Sequence, residues 1–330
     1  MILVTGGAGY IGSHAVLALL DSGYDVVIVD DLSVGHRQVV ERLEKCGSVR
    51  FEQVDLKDYG AMQSVFAKYQ IEAVLHFAAR SLVGESMSDP QLYYRNNVGG
   101  TVNLLSAMLS AGVKRIIFSS TASVYGEPQY VPIDELHQCA PINTYGRSKL
   151  MIENIMDDYD RAYGLRSVRL RYFNVVGADH RGRTGEWHNM ETHLVPNVLK
   201  SYFEGGDGFC LYGDDYATKD GTCVRDYVDV EDLARAHLLA LEYLKQGGVT
   251  EVFNLGTREG NTVKEVIGTC ESVIGRKVDV KVVERRAGDP QSLIADSSKA
   301  KRILGWQPTK ELIYSVSNAY RWEKHLHEQS

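Results

Sequence analysis

The sequence is short of positive charge. Its 330 residues carry 36 Lys and Arg against 43 Asp and Glu, a net charge of −7. That balance argues against a nucleic acid or an anionic membrane surface as a partner. An anionic ligand must then be met by locally placed arginines or helix N-termini. Cysteines are few. Cys46, Cys139, Cys210, Cys223 and Cys270 are scattered, odd in number and without a C-x-x-C pair. This argues against a disulfide framework or a zinc site and for a reducing compartment. The ten histidines show no metal-ligand spacing. His188 and His193 fall in a long loop, where surface or rim roles are expected, and no metal is expected. No apolar run reaches membrane-spanning length, and no charged-then-apolar leader precedes the first strand. Internal repeats and low-complexity tracts are also missing. These absences leave a cytoplasmic globular protein, with an ordinary apolar fraction of 44% and a length suited to two domains.

What is present is alternation. Val- and Ile-rich runs at 2–4, 26–29, 49–54, 73–76, 116–119 and 168–172 read as strands buried on both faces. Helical patterns lie between most of them, at 11–22, 61–69, 98–111 and 145–163. Such a chain folds as α/β, with a mostly parallel sheet covered by helices on both sides. After about residue 174 the texture changes. Residues 179–193 and 205–223 read as loops, a helix is expected at 232–245 and a strand at 252–255. The expected division is 1–174 and a smaller α/β part at 175–330, with segments near 225–255 returning to the first.

The stretch VTGGAGYIGSH at 4–14 joins the first strand to the first helix. Gly6, Gly9 and Gly12 are spaced three apart, and Gly7, Gly9 and Gly12 spell G-x-G-x-x-G. Glycines there let the backbone turn tightly and approach a pyrophosphate seated on the helix N-terminus. The expectation is a Rossmann-type doubly wound sheet. Asp30 ends the second strand about 20 residues on, where a carboxylate accepts from the adenosine ribose and repels a 2′-phosphate. NAD is therefore expected over NADP. Asp31 could share that role or be a solvated loop charge. Asp55 reads equally as a contact to the adenine edge or as a helix N-cap.

In NTYGRSK (143–149) Tyr145 precedes Lys149 by four residues, so the two share a helix face. A free tyrosine has a pKa of about 10 and is a poor base at neutral pH. An ammonium one turn away, together with an oxidised nicotinamide, should lower it. Tyr145 could then exchange a proton with a substrate hydroxyl while hydride moves. Lys149 could also hold the nicotinamide ribose. A third hydroxyl should come from another strand end: Thr121, with Ser119, Ser120 and Ser123 as alternatives.

Glycine motif, Tyr-x-x-x-Lys and Ser/Thr together resemble the extended short-chain dehydrogenase/reductase superfamily. Within it, HFAA (76–79), VGES (83–86), NN (96–97), YGRSKLMIE (145–153), RYFNVVGA (171–178), DGTCVRDYV (220–228), NLG (254–256) and RRAGD (285–289) are similar, in order, to the UDP-glucose 4-epimerase family. The resemblance implies NAD as a retained cofactor, a UDP-sugar as substrate, a homodimer, and Tyr145, Lys149 and Thr121 as the catalytic residues. It implies that Gly6, Gly9, Tyr10, Ile11, Gly12, Asp30, Asp31, Asp55, Leu56, Phe77, Ala78, Ala79, Asn97, Ser119, Tyr145, Lys149 and Tyr172 meet the dinucleotide. It implies substrate contacts from Thr121, Tyr145, Phe173, Asn174, Leu194, Tyr212, Arg225, Arg286, Asp289 and Leu293. Arg225 and Arg286 would grip the diphosphate, Asp289 the uridine ribose, and Leu194 and Tyr212 the uracil pocket.

Some positions depart from the family pattern. Thr121 stands where many relatives have serine. Arg80 and Ser81 stand where many have a lysine that meets the cofactor phosphates. Leu293 stands where members restricted to plain hexoses can carry tyrosine, which would leave room for an N-acetyl group. A 4,6-dehydratase needs an Asp-Glu pair after its threonine, and Ala122 and Ser123 cannot serve as that acid. A UDP-glucuronate decarboxylase is similarly disfavoured, while pentose or uronate 4-epimerases stay open. A dehydrogenase that releases NADH and a non-catalytic NAD sensor are further alternatives; the sensor would be expected to lack the Tyr-Lys pair.

Overall fold

The computed structural model describes residues 1–204, 208–285 and 290–329. The first strands are β1 (Ile2–Thr5), β2 (Val26–Asp30), β3 (Val49–Gln53), β4 (Ala73–His76), β5 (Arg115–Ser119) and β6 (Arg166–Tyr172). They are followed by β7 (Asn174–Val176), β8 (Phe209–Tyr212), β9 (Val224–Asp229), β10 (Glu251–Leu255), β11 (Gly260–Thr262), β12 (Val280–Val283) and β13 (Ser292–Leu293). Seven of these form one parallel sheet in the order β10-β6-β5-β4-β1-β2-β3. The winding direction reverses between β1 and β4, and ligands of doubly wound sheets bind outside the carboxyl ends of the strands at such a point.

The reason these runs become buried strands lies in their alternation. Ile2 and Val4, then Val26 and Ile28, face one layer, where they pack with helices Tyr10–Asp21 and Val230–Lys245. Leu3, Val27 and Val29 face the other, with Met62, Leu104, Leu105, Ile152 and Met156 from helices Tyr59–Lys68, Gly100–Ser110 and Thr144–Tyr163. A strand between two helical layers must be apolar at successive positions. Each fully buried aliphatic side chain stabilises the fold by about 1.5–3 kcal/mol relative to exposure.

The smaller part is built differently. β11, β9 and β13 run side by side, and β7 also pairs with β9. β8 pairs with β12 in a separate two-stranded ribbon. Helices Leu194–Glu204, Val263–Ile274 and Leu312–Gln329 pack around a third core. The chain crosses between the parts more than once: helix Val230–Lys245 and β10 belong to the large sheet although β9 belongs to the small one. One expectation is corrected here. The span 205–223, read as loop, contains β8. Gly208 and Gly213, both at φ +81°, bracket it, and only four residues lie in the strand. The surrounding Gly, Asp and Thr hid it.

A buried polar network ties the layers together behind the large sheet. Arg171 Nε donates to Glu153 Oε1 at 2.9 Å and Arg171 Nη2 to Glu153 Oε2, while Arg171 Nη1 donates to the Tyr125 hydroxyl at 2.9 Å. Tyr125 in turn donates to Asn254 Oδ1 at 2.6 Å. The guanidinium fork and carboxylate are both buried, so each needs the other.

Candidate active site

A cavity of about 400 Å³ opens at the carboxyl ends of β1, β2, β4, β5 and β6. The glycine turn forms its floor. Gly6 has φ +74°, and a Cβ there would lie 2.6 Å from the Ala78 amide nitrogen. A Cβ on Gly12 would lie 2.1 Å from the Gly6 carbonyl oxygen. Gly9 is the N-cap of helix Tyr10–Asp21, and no side chain caps that end. Its first-turn amides therefore suit an anionic group. A cradle that excludes side chains at the start of an uncapped helix fits a dinucleotide pyrophosphate.

Acidic groups line the far end. Asp30 is 8% exposed. Its Oδ2 accepts from the Ala8 amide at 3.0 Å and its Oδ1 from the Leu32 amide at 2.9 Å. Burial raises its pKa, and these amides pull it back. Asp31 accepts from the Ser33 amide at 2.9 Å, and Asp55 accepts from the Lys57 amide at 2.8 Å. All three reach the cavity wall. The N-cap role considered for Asp55 falls to Asp58, whose Oδ1 accepts from the Ala61 amide at 2.9 Å.

Tyr145, Lys149 and Thr121 meet at the other end, along with Ser119, Ser123, Tyr172, Phe173 and Asn174. Asn143 starts helix Thr144–Tyr163 by accepting from the Gly146 amide at 2.7 Å, and this puts Tyr145 in the first turn. Ser86 Oγ accepts from the Tyr145 amide at 3.2 Å. Lys149 Nζ donates to the Ser119 carbonyl at 2.8 Å and lies 5.9 Å from the Tyr145 ring centroid. Ser119 Oγ also hydrogen-bonds the Tyr172 hydroxyl.

With no dinucleotide charge beside it, burial governs the Tyr145 phenol. Burial pushes the phenol up to about 12, and a hydrogen bond from Thr121 is what opposes it. Burial also brings the Lys149 ammonium down to about 7, with Glu153 partly offsetting the drop. For each group, desolvation outweighs the contact that opposes it.

The remaining expected residues separate into groups. Gly6, Gly9, Tyr10, Ile11, Gly12, Leu56, Phe77, Ala78 and Ala79 line the cavity, as do Arg80 and Ser81. Asn97 does not. It is buried, with its Oδ1 accepting from the Arg80 amide at 2.8 Å and its Nδ2 donating to the Arg80 carbonyl at 3.0 Å and to Ser148 Oγ at 3.2 Å. Asn96 lines the wall in its place. Of the substrate residues expected in the second half, Arg225 and Leu293 sit opposite each other on β9 and β13. Leu194 opens its helix, and Tyr212 ends β8 at 39% exposure. None of these four lines the cavity. Arg286 and Asp289 lie outside the described residues.

Comparison with known proteins agrees with this geometry. The model of the NAD dependent epimerase/dehydratase family matches residues 2–256. A UDP-glucose 4-epimerase of Lacticaseibacillus casei is 49% identical over 324 residues, covering 98% of this chain and 96% of that protein. The chain belongs to the UDP-glucose 4-epimerase family. The crystal structure of a family member from Stenotrophomonas maltophila, with bound NAD and formylated UDP-arabinopyranose, superposes with a TM-score of 0.96 at 39% identity. That match covers 100% of this chain and 99% of the other. The UDP-Glc/GlcNAc 4-epimerase of Campylobacter jejuni superposes at 0.86 with 41% identity, covering 98% and 99% of the two chains. The family and doubly wound fold expected from the sequence are thus borne out, and NAD is the cofactor that defines the matching family.

The cavity wall of this epimerase-family chain also holds His188 and His193, for which a surface or substrate-rim role was expected, and Glu186, which sequence reasoning did not place there. They come from the loop after β7. Trp322 Nε1 donates to the Glu186 carbonyl at 2.9 Å, and Trp187 stacks on His36 with ring centroids 4.1 Å apart. Two tryptophans near acidic and histidine residues were the available signal, but their partners are distant in sequence. Among the described residues, no helix is long and apolar enough to cross a membrane.

Proposed function

We propose that this protein reversibly inverts C4 of UDP-glucose and UDP-galactose through a transient 4-keto sugar, retaining NAD throughout. The observation that carries the reading is one cavity joining a side-chain-free glycine cradle to a Tyr145, Lys149 and Thr121 cluster. Bound NAD would supply the hydride acceptor, the returning donor and a positive charge beside Tyr145. Gly6, Gly9, Tyr10, Ile11 and Gly12 would hold its pyrophosphate end, Asp30 and Asp31 the adenosine ribose, and Lys149 the nicotinamide ribose.

In this reading Tyr145 takes the proton from the sugar 4-hydroxyl and later returns it. Its phenol is pushed up to about 12 in the protein alone, so it becomes a base only when positive charge beside it restores the phenolate. Thr121 holds the same oxygen. Asn174, Arg225, Arg286 and Asp289 would anchor the UDP while the 4-keto sugar turns over. Residues 1–174, with helix Val230–Lys245 and β10, form the proposed dinucleotide unit, and the rest the nucleotide-sugar unit. Leu293 supports a substrate range that extends to UDP-GlcNAc and UDP-GalNAc. Ala122 and Ser123 offer no acid for a dehydratase. The proposed state is a cytoplasmic homodimer, with the dimer interface on the helices Gly100–Ser110 and Thr144–Tyr163.

The test is conversion of UDP-galactose to UDP-glucose by purified protein with no added NAD. Conversion without net NADH is the expected result. Steady accumulation of NADH would instead mean a dehydrogenase.

A further inference from the structure

We propose that Glu186, His188, Glu191 and His193 form a site for one divalent transition-metal ion of the zinc class, which fastens the loop after β7 into the wall of the cavity. All four residues lie within that one loop, in the pattern E-x-H-x-x-E-x-H. One ligand atom from each lies within 4.8 Å of all the others. His193 Nδ1 is 2.8 Å from Glu186 Oε1 and 2.9 Å from Glu191 Oε1. His188 Nδ1 is 3.2 Å from Glu191 Oε2 and 3.4 Å from Glu186 Oε1. Zinc binds nitrogen and oxygen at about 2.0–2.2 Å, which sets the edges of its ligand tetrahedron at roughly 3.3–3.6 Å. The observed separations run from about half an ångström below those edges up to them, with Glu191 meeting His193 through Oε1 and His188 through Oε2. Two imidazoles and two carboxylates are a fitting donor set for such an ion.

Burial points the same way. Glu186 is 6% exposed, and the near neighbours of its Oε1 are the His193 and His188 imidazole nitrogens. The Glu191 side chain is 4% exposed, and Glu323, another buried carboxylate, faces the same small pocket as Glu186. With neutral imidazoles the four ligands carry two negative charges, which one divalent cation balances. Four protein ligands leave no open coordination position, so the ion's role is structural. Its place explains what it would stabilise. The loop spans Trp322 of the last helix, His36 beyond β2, and Tyr10, whose ring meets His188 edge-on at 6.4 Å.

The experiment uses the full chain as purified, dialysed against a chelator and titrated with Zn²⁺ or Co²⁺ alone. One equivalent per chain is expected, with a rise in Tm from binding to the folded state. Co²⁺ should give the strong visible absorption of a tetrahedral site without a thiolate charge-transfer band. His193→Ala and Glu191→Gln should each weaken Zn²⁺ binding beyond the roughly 100-fold that an outer-shell change costs, with far-UV circular dichroism unchanged. Should a variant fail to fold, stoichiometry and the cobalt spectrum of the unaltered chain decide the matter. No stoichiometric binding would overturn the site and leave a cluster held together by protons. A thiolate band would move the metal to the cysteines, and undiminished binding by folded His193→Ala would equally refute the assignment.

Discussion

The two halves of this molecule differ in how far apart their functional residues lie. In the proposed dinucleotide unit, the turn after β1, Asp30, and the Tyr145–Lys149 pair are each set by a local run of sequence, and all reach one cavity at the carboxyl ends of the strands. In the other half, Arg225 and Leu293 sit on paired strands, Tyr212 ends a separate ribbon, and Leu194 opens a helix. A preformed cleft backed by a parallel sheet is thus joined to a more dispersed set of groups. In the proposed reading, the chemistry is preorganised in the first half and substrate choice is tuned in the second.

The largest expected effect lies at the centre of the preorganised half. Tyr145→Phe should lower turnover by about 10²–10⁴-fold, the usual range for a lost acid-base group, with NAD still bound. Steady-state kinetics with quantified cofactor content checks both parts. Next comes the cradle. Gly12→Ala forces a Cβ to within 2.1 Å of the Gly6 carbonyl oxygen. Urea unfolding should show a loss of about 3 kcal/mol, and the purified protein should lose NAD. An equally damaging alanine at Gly268, which lies in helix Val263–Ile274 and where a Cβ meets nothing within 4 Å, would erase the distinction.

A third effect is pH-dependent. The Lys149 amine, near 7 in the folded protein, titrates near 10.4 when unfolded. Between those values the unfolded chain binds the extra proton, so stability rises with pH across that window, and below it the burial penalty is fully present. Lys149→Met should therefore gain more over the unaltered chain at pH 6 than at pH 9, by about 3 kcal/mol. Equal gains at both pH values would mean that the ammonium is not penalised by burial. The smallest effect belongs to the dispersed half. Leu293→Tyr should reduce kcat/KM for UDP-GalNAc by about tenfold or more while sparing UDP-galactose. Parallel losses on both sugars would remove Leu293 from specificity.

The same contrast explains what was legible in the sequence. The inner strands β1, β2 and β4 could be read because they are buried on both faces and their apolar runs announced it; β3, also expected to be buried on both faces, is the edge strand and exposes Arg50 and Gln53. The glycine turn was legible because only glycine fits where Gly6 and Gly12 pack. Asn97 was harder: a cofactor contact and a clamp on the Arg80 backbone ask for the same amide. The Tyr145 environment was only partly legible, because helix spacing gives proximity to Lys149 but says nothing about burial, which raises the phenol and lowers the ammonium. β8 was missed because four residues between two glycines carry too little pattern. The Glu186–His193 cluster escaped because no familiar metal-ligand spacing marks it.

The central claim is that a single carbon of the sugar is oxidised and then reduced again within one closed site. UDP-galactose carrying deuterium at C4 tests this most directly, with the UDP-glucose formed examined by NMR and mass spectrometry. The account predicts that the deuterium stays at C4 of the product. Product formed with that deuterium exchanged for solvent hydrogen would contradict it.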